Sequence, residues 1–581
     1  TLVSGRELPM HLGLPTRSVH GLPIIEHAEF GRNVPDEAMP DEDKMNLGKI
    51  YHMGKEEAAG LLLNRQAMAS HTFITGSTGT GKSNAVYHLL DEITKNGQTT
   101  FLVVEPAKGE YKNVFGNCTD VQVFGTNPRE TPLLRMNPFA FPENIHILEH
   151  IDRLVEIFNA CWPMYAAMPA VLKDAIERSY QKVGWDLRNS ESEKGVFPTF
   201  FDLLDILPGV IEESHYSKDT QSDYVGALCT RVKSLTNGIY GSVLCAEDAL
   251  TDEALFDRNV IVDLSRVGSM ETKSLLMGIL VMKLQEYRMC SSGMNSRLRH
   301  VTVLEEAHNL LRKTSAEQSQ EGANLQGKSV EMLANAIAEM RTYGEGFIIA
   351  DQAPGLLDMS VIRNTNTKII LRLPDEEDRK LVGKSAALKE AQIDELSKLP
   401  LGVAAVYQNE WPEAVLCKIE AYPMPENAVY HKPSKMPHEI NAEFVFGQLA
   451  VGKELEPLSS SEMEQLKLWL KRHETVLKPE DSRYLERVFA GGELDVAKTR
   501  KAVFDFFGGI STVVDYCAAA EKSLTPRKEF LEQLQGQYGL KAAAADWVLN
   551  SVISMGMSLN PDAKAVDNLR TNFEQQGGRV L

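Results

Sequence analysis

The stretch ITGSTGTGKSNAV at residues 74–86 constrains this chain more than any other. It fits G-x-x-x-x-G-K-[ST] through Gly76, Gly81, Lys82 and Ser83. It also stands between a short apolar run, HTFIT, and a helical pattern, SNAVYHLLDEITKNG, which is the context the motif requires. Glycines let successive backbone N–H groups curl around phosphate oxygens, and the following helix points its positive end at them. Gly76, Ser77, Thr78, Gly79, Thr80, Gly81, Lys82, Ser83 and Asn84 are therefore the expected nucleotide cradle. In such a cradle Lys82 reaches the β- and γ-phosphates and the Ser83 hydroxyl ligates magnesium, so ATP and Mg2+ are the expected cofactors. The competing reading is a Gly-rich turn in an unrelated α/β protein.

Around this motif strands and helices alternate. HTFIT (71–75), TTFLVVEP (99–106), NVIVDLS (259–265), HVTVLEE (300–306), GFIIAD (346–351) and TKIILRL (367–373) are apolar, β-branched runs of strand length. Runs apolar on both faces imply a mostly parallel sheet covered by helices, an α/β RecA-like P-loop core. Residues 61–425 are assigned to that core, with a helical insertion at 140–257 whose Trp162, Met164, Tyr165 and Met168 are read as packing. Residues 1–60 read as a β-rich N-terminal segment. Beyond a Pro-containing linker (HKPSKMPHEI), 440–581 read as a helical C-terminal domain. Within it, 527–556 has the helix–Gly turn–helix rhythm of a helix-turn-helix, although a plain docking bundle fits better.

Composition excludes several classes. With 43% hydrophobic and 24% charged residues, the 581-residue chain has ample material for buried cores. Its net charge of −19 rules out a basic coat, so any contact with nucleic acid must come from a local patch. Seven cysteines without a CxxC point to core thiols in a reducing cytosol rather than to disulfides or zinc. The apolar run LLMGILVMKL (275–284) is too short to span a bilayer, and no secretory signal is visible. A cytoplasmic protein is expected.

The second half of an ATPase site should be an acid at the tip of another buried strand, with a base beside it. VTVLEEAHNLL (301–311) supplies Glu305 for magnesium and Glu306 to orient or deprotonate the attacking water. Strand alternation would put the two on opposite faces. His308 is read as a structural or sensing contact. EEAH differs by one carboxylate from a helicase DEAH box, but the interval from Lys82 is long and helical. No QRxGRxGR-type arginine motif follows either.

The next segment, AEMRTYGEGFIIADQAP (338–354), places Arg341 eleven residues before a strand-terminal Gln352. P-loop, paired acids, R-x-Y-G-x-G turn and terminal Gln, in that order, resemble the HerA/FtsK superfamily of ring translocases, HerA-like ATPases most closely. VVEPAKGEY (103–111), NVIVDLSRVGS (259–269) and IRNTNTKIILRLPDEEDR (362–379) extend the likeness over about 60–425. The resemblance implies that Gln352 senses the γ-phosphate or water, that Arg341 is the finger reaching a neighbour's site, with Arg372 its rival, and that Glu105 and Lys108 stand behind the P-loop. The family often has Asp-Glu where this chain has Glu305-Glu306. It usually begins with a complete β-barrel, whereas here 75 residues precede Gly76, and 1–60 is read as a partial barrel.

Further implications are a homo-hexamer with double-stranded DNA in its channel and a partner effector, such as a nuclease or a sirtuin-like enzyme, in DNA processing or anti-phage defence. The polar stretch 312–329 offers Arg312, Lys313 and Lys328 as sequence-blind phosphate contacts, or is simply a surface loop. Two alternatives stay open: an ATP-stabilised scaffold ring organising an effector, and a conjugation or secretion (TraG-like) ATPase.

Overall fold

The computed structural model describes residues 18–20, 27–34 and 39–432, except 166, 193–194, 215, 247–248, 315–324 and 425–427. In the C-terminal part it describes 466, 483–485, 487–488, 495–520, 525–538, 542–560 and 562–580. The N-terminal residues 1–17 and 21–26 and most of the linker motif therefore lie outside the described residues.

All six strands expected from the sequence lie in one eleven-stranded sheet. They are β3 (Thr72–Thr75), β4 (Thr100–Glu105), β8 (Asn259–Asp263), β9 (His300–Glu305), β10 (Glu345–Asp351) and β11 (Thr367–Ile370). With β5 (Val121–Gly125) they form a parallel array in the order β11-β3-β10-β9-β4-β8-β5. β4 shows why these runs are apolar on both faces. Its Leu102 and Val104 enter the core on one face and its Phe101 and Val103 the core on the other.

The first core is roofed by α3 (Ile147–Cys161) and α6 (Met270–Ser291), the second by α1 (Lys82–Thr94), and between α1 and α3 lies α2 (Tyr111–Phe115). The apolar run 275–284 is the buried middle of α6. Among the described residues no single helix is long and apolar enough to cross a membrane.

The remaining strands are antiparallel. β12 (Val403–Gln408) and β13 (Val415–Ile419) form a hairpin on β11, and β1 (Lys44–His52) and β2 (Lys55–Asn64) continue the sheet from β13. The expected break at residue 60 thus falls inside β2, whose strand is an edge of the ATPase sheet. These strands brace the P-loop helix: Arg65 Nη1 donates to the C-terminal carbonyls of Glu92 (2.9 Å) and Ile93, and the Asn46 N–H donates to Glu92 Oε2 (3.0 Å).

Between β5 and β8 lie α3, α4 (Met168–Lys182), α5 (Phe200–Glu213) and shorter helices, and among the described residues there the strands are the two-residue β6 (Trp185–Asp186) and β7 (Glu191–Ser192). Trp162 and Met168 are buried there, and Tyr165 is exposed. Helices 496–506, 509–520, 526–538, 542–559 and 563–575 contribute to a separate core around Phe506, Tyr516, Leu549 and Phe573. The 527–556 pair is joined by an Arg527–Asp546 ion pair and buries Phe530, Val548 and Ile553 in that core.

Candidate ATPase site

Parallel register brings the carboxyl ends of the strands to one edge. Thr75 pairs with Asp351, Ala350 with Glu305, and Glu105 with Asp263. The crevice at that edge is where open α/β sheets bind ligands. The P-loop crosses it, pinned by the Arg372 carbonyl, which accepts from the Ser77 N–H (3.0 Å) and hydroxyl (3.1 Å), and by the Gly402 N–H, which donates to Thr80 O (3.0 Å). Gly76 is required because a Cβ there would lie 2.7 Å from Leu371 Cβ. Gly81 is required because its φ of +105° suits no other residue.

Lys82 is buried and sits between the two acids. Its Nζ lies 2.8 Å from Glu305 Oε2 and 3.7 Å from Glu306 Oε1. Burial alone would lower its pKa, but the adjoining Glu305 carboxylate outweighs this and holds it above the ordinary value. The acids share one side despite the alternation expected of a strand. β9 ends at Glu305, and Glu306 turns left-handed (φ +45°, ψ 51°), which swings its carboxyl back toward Lys82. A non-glycine in that conformation is strained by about 1 kcal/mol or more and persists where neighbours enforce it.

The enforcing neighbours are visible. Thr78 Oγ1 donates to Gln352 Oε1 (2.6 Å), and Gln352 Nε2 donates to Glu306 Oε1, so the P-loop, the strand-terminal amide and the second acid form one chain. On the other side His308 Nδ1 lies 2.9 Å from Asp351 and 3.6 Å from Glu306 Oε2. The hydrogen bond to Asp351 raises the His308 pKa. Asp351 also accepts the His308 N–H at 2.8 Å.

Other expected residues fall elsewhere. Asn84 uses its amide outside the cradle, donating to Glu420 O (3.0 Å) and accepting from the Tyr422 N–H (2.9 Å). Lys108 is half exposed at φ +67°, 3.9 Å from Glu110. Arg341 is exposed in a turn of 3₁₀ helix, Met340–Tyr343, that precedes β10, whereas Gln352 follows it. Seven strand residues separate the two, so Arg341 lies roughly 20 Å away at the opposite edge of the sheet. Among the described residues no arginine is ion-paired with Glu305 or Glu306. Arg372 is exposed beside its own P-loop. Arg312 and Lys313 are exposed after β9, and Lys328 lies on the helix α7 (Leu325–Glu339) rather than in a loop; the intervening 315–324 lie outside the described residues.

Sequence reasoning assigned no role to Tyr111, Lys112, Asp263 or Asp351. The last two are the terminal acids of strands already recognised, which is the signal that could have found them. Lys112 joins Asp263 (2.7 Å) to Glu130 (3.0 Å). Glu105 accepts from the N–H groups of Glu110 (2.7 Å) and Tyr111 (3.1 Å), and burial pushes its pKa up to about 8. The unfolded chain loses that proton near 4.5, so between those values only the folded state keeps it, and stability falls as pH rises. Thermal unfolding measured from pH 5 to 8 should show native Tm declining relative to Glu105→Gln; parallel profiles would contradict this.

The Ser83 hydroxyl after the phosphate loop and the Glu305 carboxylate at the end of β9 are the oxygen donors a hard divalent cation takes, and the Lys82 ammonium already stands as a cation between the two acids. Ser83 and Glu305 therefore fit magnesium. The fold and this crevice define a P-loop ATPase.

Comparison with known proteins narrows the class. The family described as the central domain of helicase HerA matches residues 45–283. A probable helicase of Methanocaldococcus jannaschii is 23% identical over 436 residues, covering 68% of this chain and 76% of its own. The DNA double-strand break repair helicase HerA of Sulfolobus acidocaldarius is 25% identical over 393 residues, covering 65% and 69%. In structure, VirB4 of Thermoanaerobacter pseudethanolicus superposes with a TM-score of 0.50 at 17% identity, covering 66% of this chain and 98% of its own, a likeness of fold. These matches support an ATPase of the HerA/FtsK type.

Proposed function

We propose that this protein is a ring-forming DNA translocase, hexameric in the HerA manner, that hydrolyses ATP to move along duplex DNA and serves a partner effector, such as a nuclease, in the cytosol.

 The observation that carries the reading is the hydrogen-bonded chain from Thr78 through Gln352 to Glu306, set against Lys82 and Glu305. In this reading Lys82 binds the β- and γ-phosphates, and Ser83 and Glu305 hold magnesium, which neutralises phosphate charge. Gln352 orients the attacking water and Glu306 takes its proton. The DNA substrate is supported by relatives that are DNA double-strand break repair helicases. Exposed Arg312, Lys313 and Lys328 are the proposed backbone contacts, and the C-terminal helices the proposed effector dock. A triplex-displacement assay tests the motor: the chain should strip a third strand from duplex DNA with ATP, and Glu306→Gln should not. Displacement that needs no ATP, or none by the native chain, would contradict translocation.

Arg341 enters this proposal only in trans, because its own site lies at the far edge of the sheet. Arg341→Ala should lower ATP turnover by about 10³-fold or more. Mixing it with Glu306→Gln, itself inactive, should restore part of the activity, since some interfaces then pair an intact acid with an intact arginine. If Arg341→Ala turns over ATP normally, or complementation comes from Arg372→Ala instead, Arg341 is not the finger.

A further inference from the structure

Tyr111 is buried at the start of α2, and its hydroxyl donates to Glu305 Oε1 at 2.5 Å. Lys82 holds the other oxygen, Oε2, at 2.8 Å. Two features aim the phenol. Left-handed turns at Lys108 and Gly109 (φ +67° each) fold the 106–110 segment back, and Glu105 then accepts the backbone N–H groups of Glu110 and Tyr111. The ring packs edge-on against Tyr87 of α1, with centroids 4.9 Å apart.

We propose that Tyr111 is a positioning residue for the metal-binding acid: it pins one oxygen of Glu305 so that the other faces Ser83 when Lys82 moves to the phosphates. This rests on the reading of Glu305 as the magnesium acid. It also accounts for a glutamate at that position. Glutamate has one more rotatable bond than aspartate, and a second fixed point removes that freedom. Partners that orient a metal ligand typically contribute about 10- to 100-fold in metal affinity.

The test is calorimetric binding of a non-hydrolysable ATP analogue to the full chain, without metal and across a magnesium titration. Tyr111→Phe should bind the metal-free analogue as the native chain does but need about 10-fold more Mg2+ for the tight complex. In a Glu305→Asp background, whose shorter acid does not reach the phenol, Tyr111→Phe should add little. Glu305→Gln reports on the underlying reading. If it shifts the magnesium dependence and Tyr111→Phe does not, Tyr111 has no positioning role. If neither shifts it, Glu305 is not the metal acid and the proposal falls with that reading. Equal loss of metal-free binding in Tyr111→Phe means a distorted pocket and also overturns the assignment.

Discussion

Glu306→Gln should bind ATP with native affinity and turn it over about 10²–10⁴-fold more slowly. The substitution keeps an oxygen to accept from Gln352 Nε2, so the chain from Thr78 survives in outline. It removes the basic carboxylate proposed to take the water's proton, which the left-handed turn at 306 brings to 3.7 Å from Lys82 Nζ. Lys82 and Glu305 are untouched, so phosphate and metal binding should persist. Steady-state phosphate release beside equilibrium nucleotide binding separates the two effects. Native turnover in the variant would remove Glu306 from the chemistry, and loss of binding would make its role structural.

The largest stability effect should come from the opposite edge of the sheet. Arg288 of α6 is fully buried and donates through Nε to Glu345 Oε2 (2.9 Å), through Nη1 to Asp257 Oδ1 (2.7 Å) and through Nη2 to Phe256 O. Glu345 also takes bonds from His300 Nδ1 (2.8 Å) and Thr302 Oγ1 (2.8 Å). Burial would push the Glu345 pKa up, but His300 and Arg288 outweigh it and hold it below the usual range. Burial keeps the His300 pKa low, so Arg288 supplies the lasting positive charge. Arg288→Met should therefore cost about 3–5 kcal/mol, because it strands a buried carboxylate. Denaturant unfolding of the full chain measures it, with the C-terminal helices followed separately if the transition is not two-state. Adding Glu345→Gln should recover much of the loss; a double variant no more stable than the single would show that the charge is not the cause.

Much of this architecture is legible in the sequence, for identifiable reasons. The six expected strands are buried on both faces, so apolar side chains dominate them. The P-loop is legible because backbone contact with phosphate demands glycine at fixed spacing. β12 and β13 were not assigned, since a hairpin added to a sheet edge is defined by partners as remote as Ile50, opposite Cys417. β1 and β2 read as a separate domain for the same reason: their strand character is local, but the edge they join is set by tertiary packing. At the site, residue type points to Glu305 and Glu306, yet strand alternation does not foresee that both carboxylates approach Lys82, because one positive φ reverses the second side chain. Tyr111 was invisible as a functional residue because a tyrosine opening a short helix looks like any core aromatic. Arg288 and Glu345 carry no sequence signal at all, since a buried ion pair is recognised only from the contact.

In the proposed function, ATP turnover by this chain is coupled to duplex DNA in an assembly of several copies. The most direct measurement is phosphate release by the full chain, with and without double-stranded DNA, across protein concentration. Turnover should rise more steeply than linearly with concentration and be stimulated by duplex DNA. Turnover proportional to concentration and indifferent to DNA would contradict it.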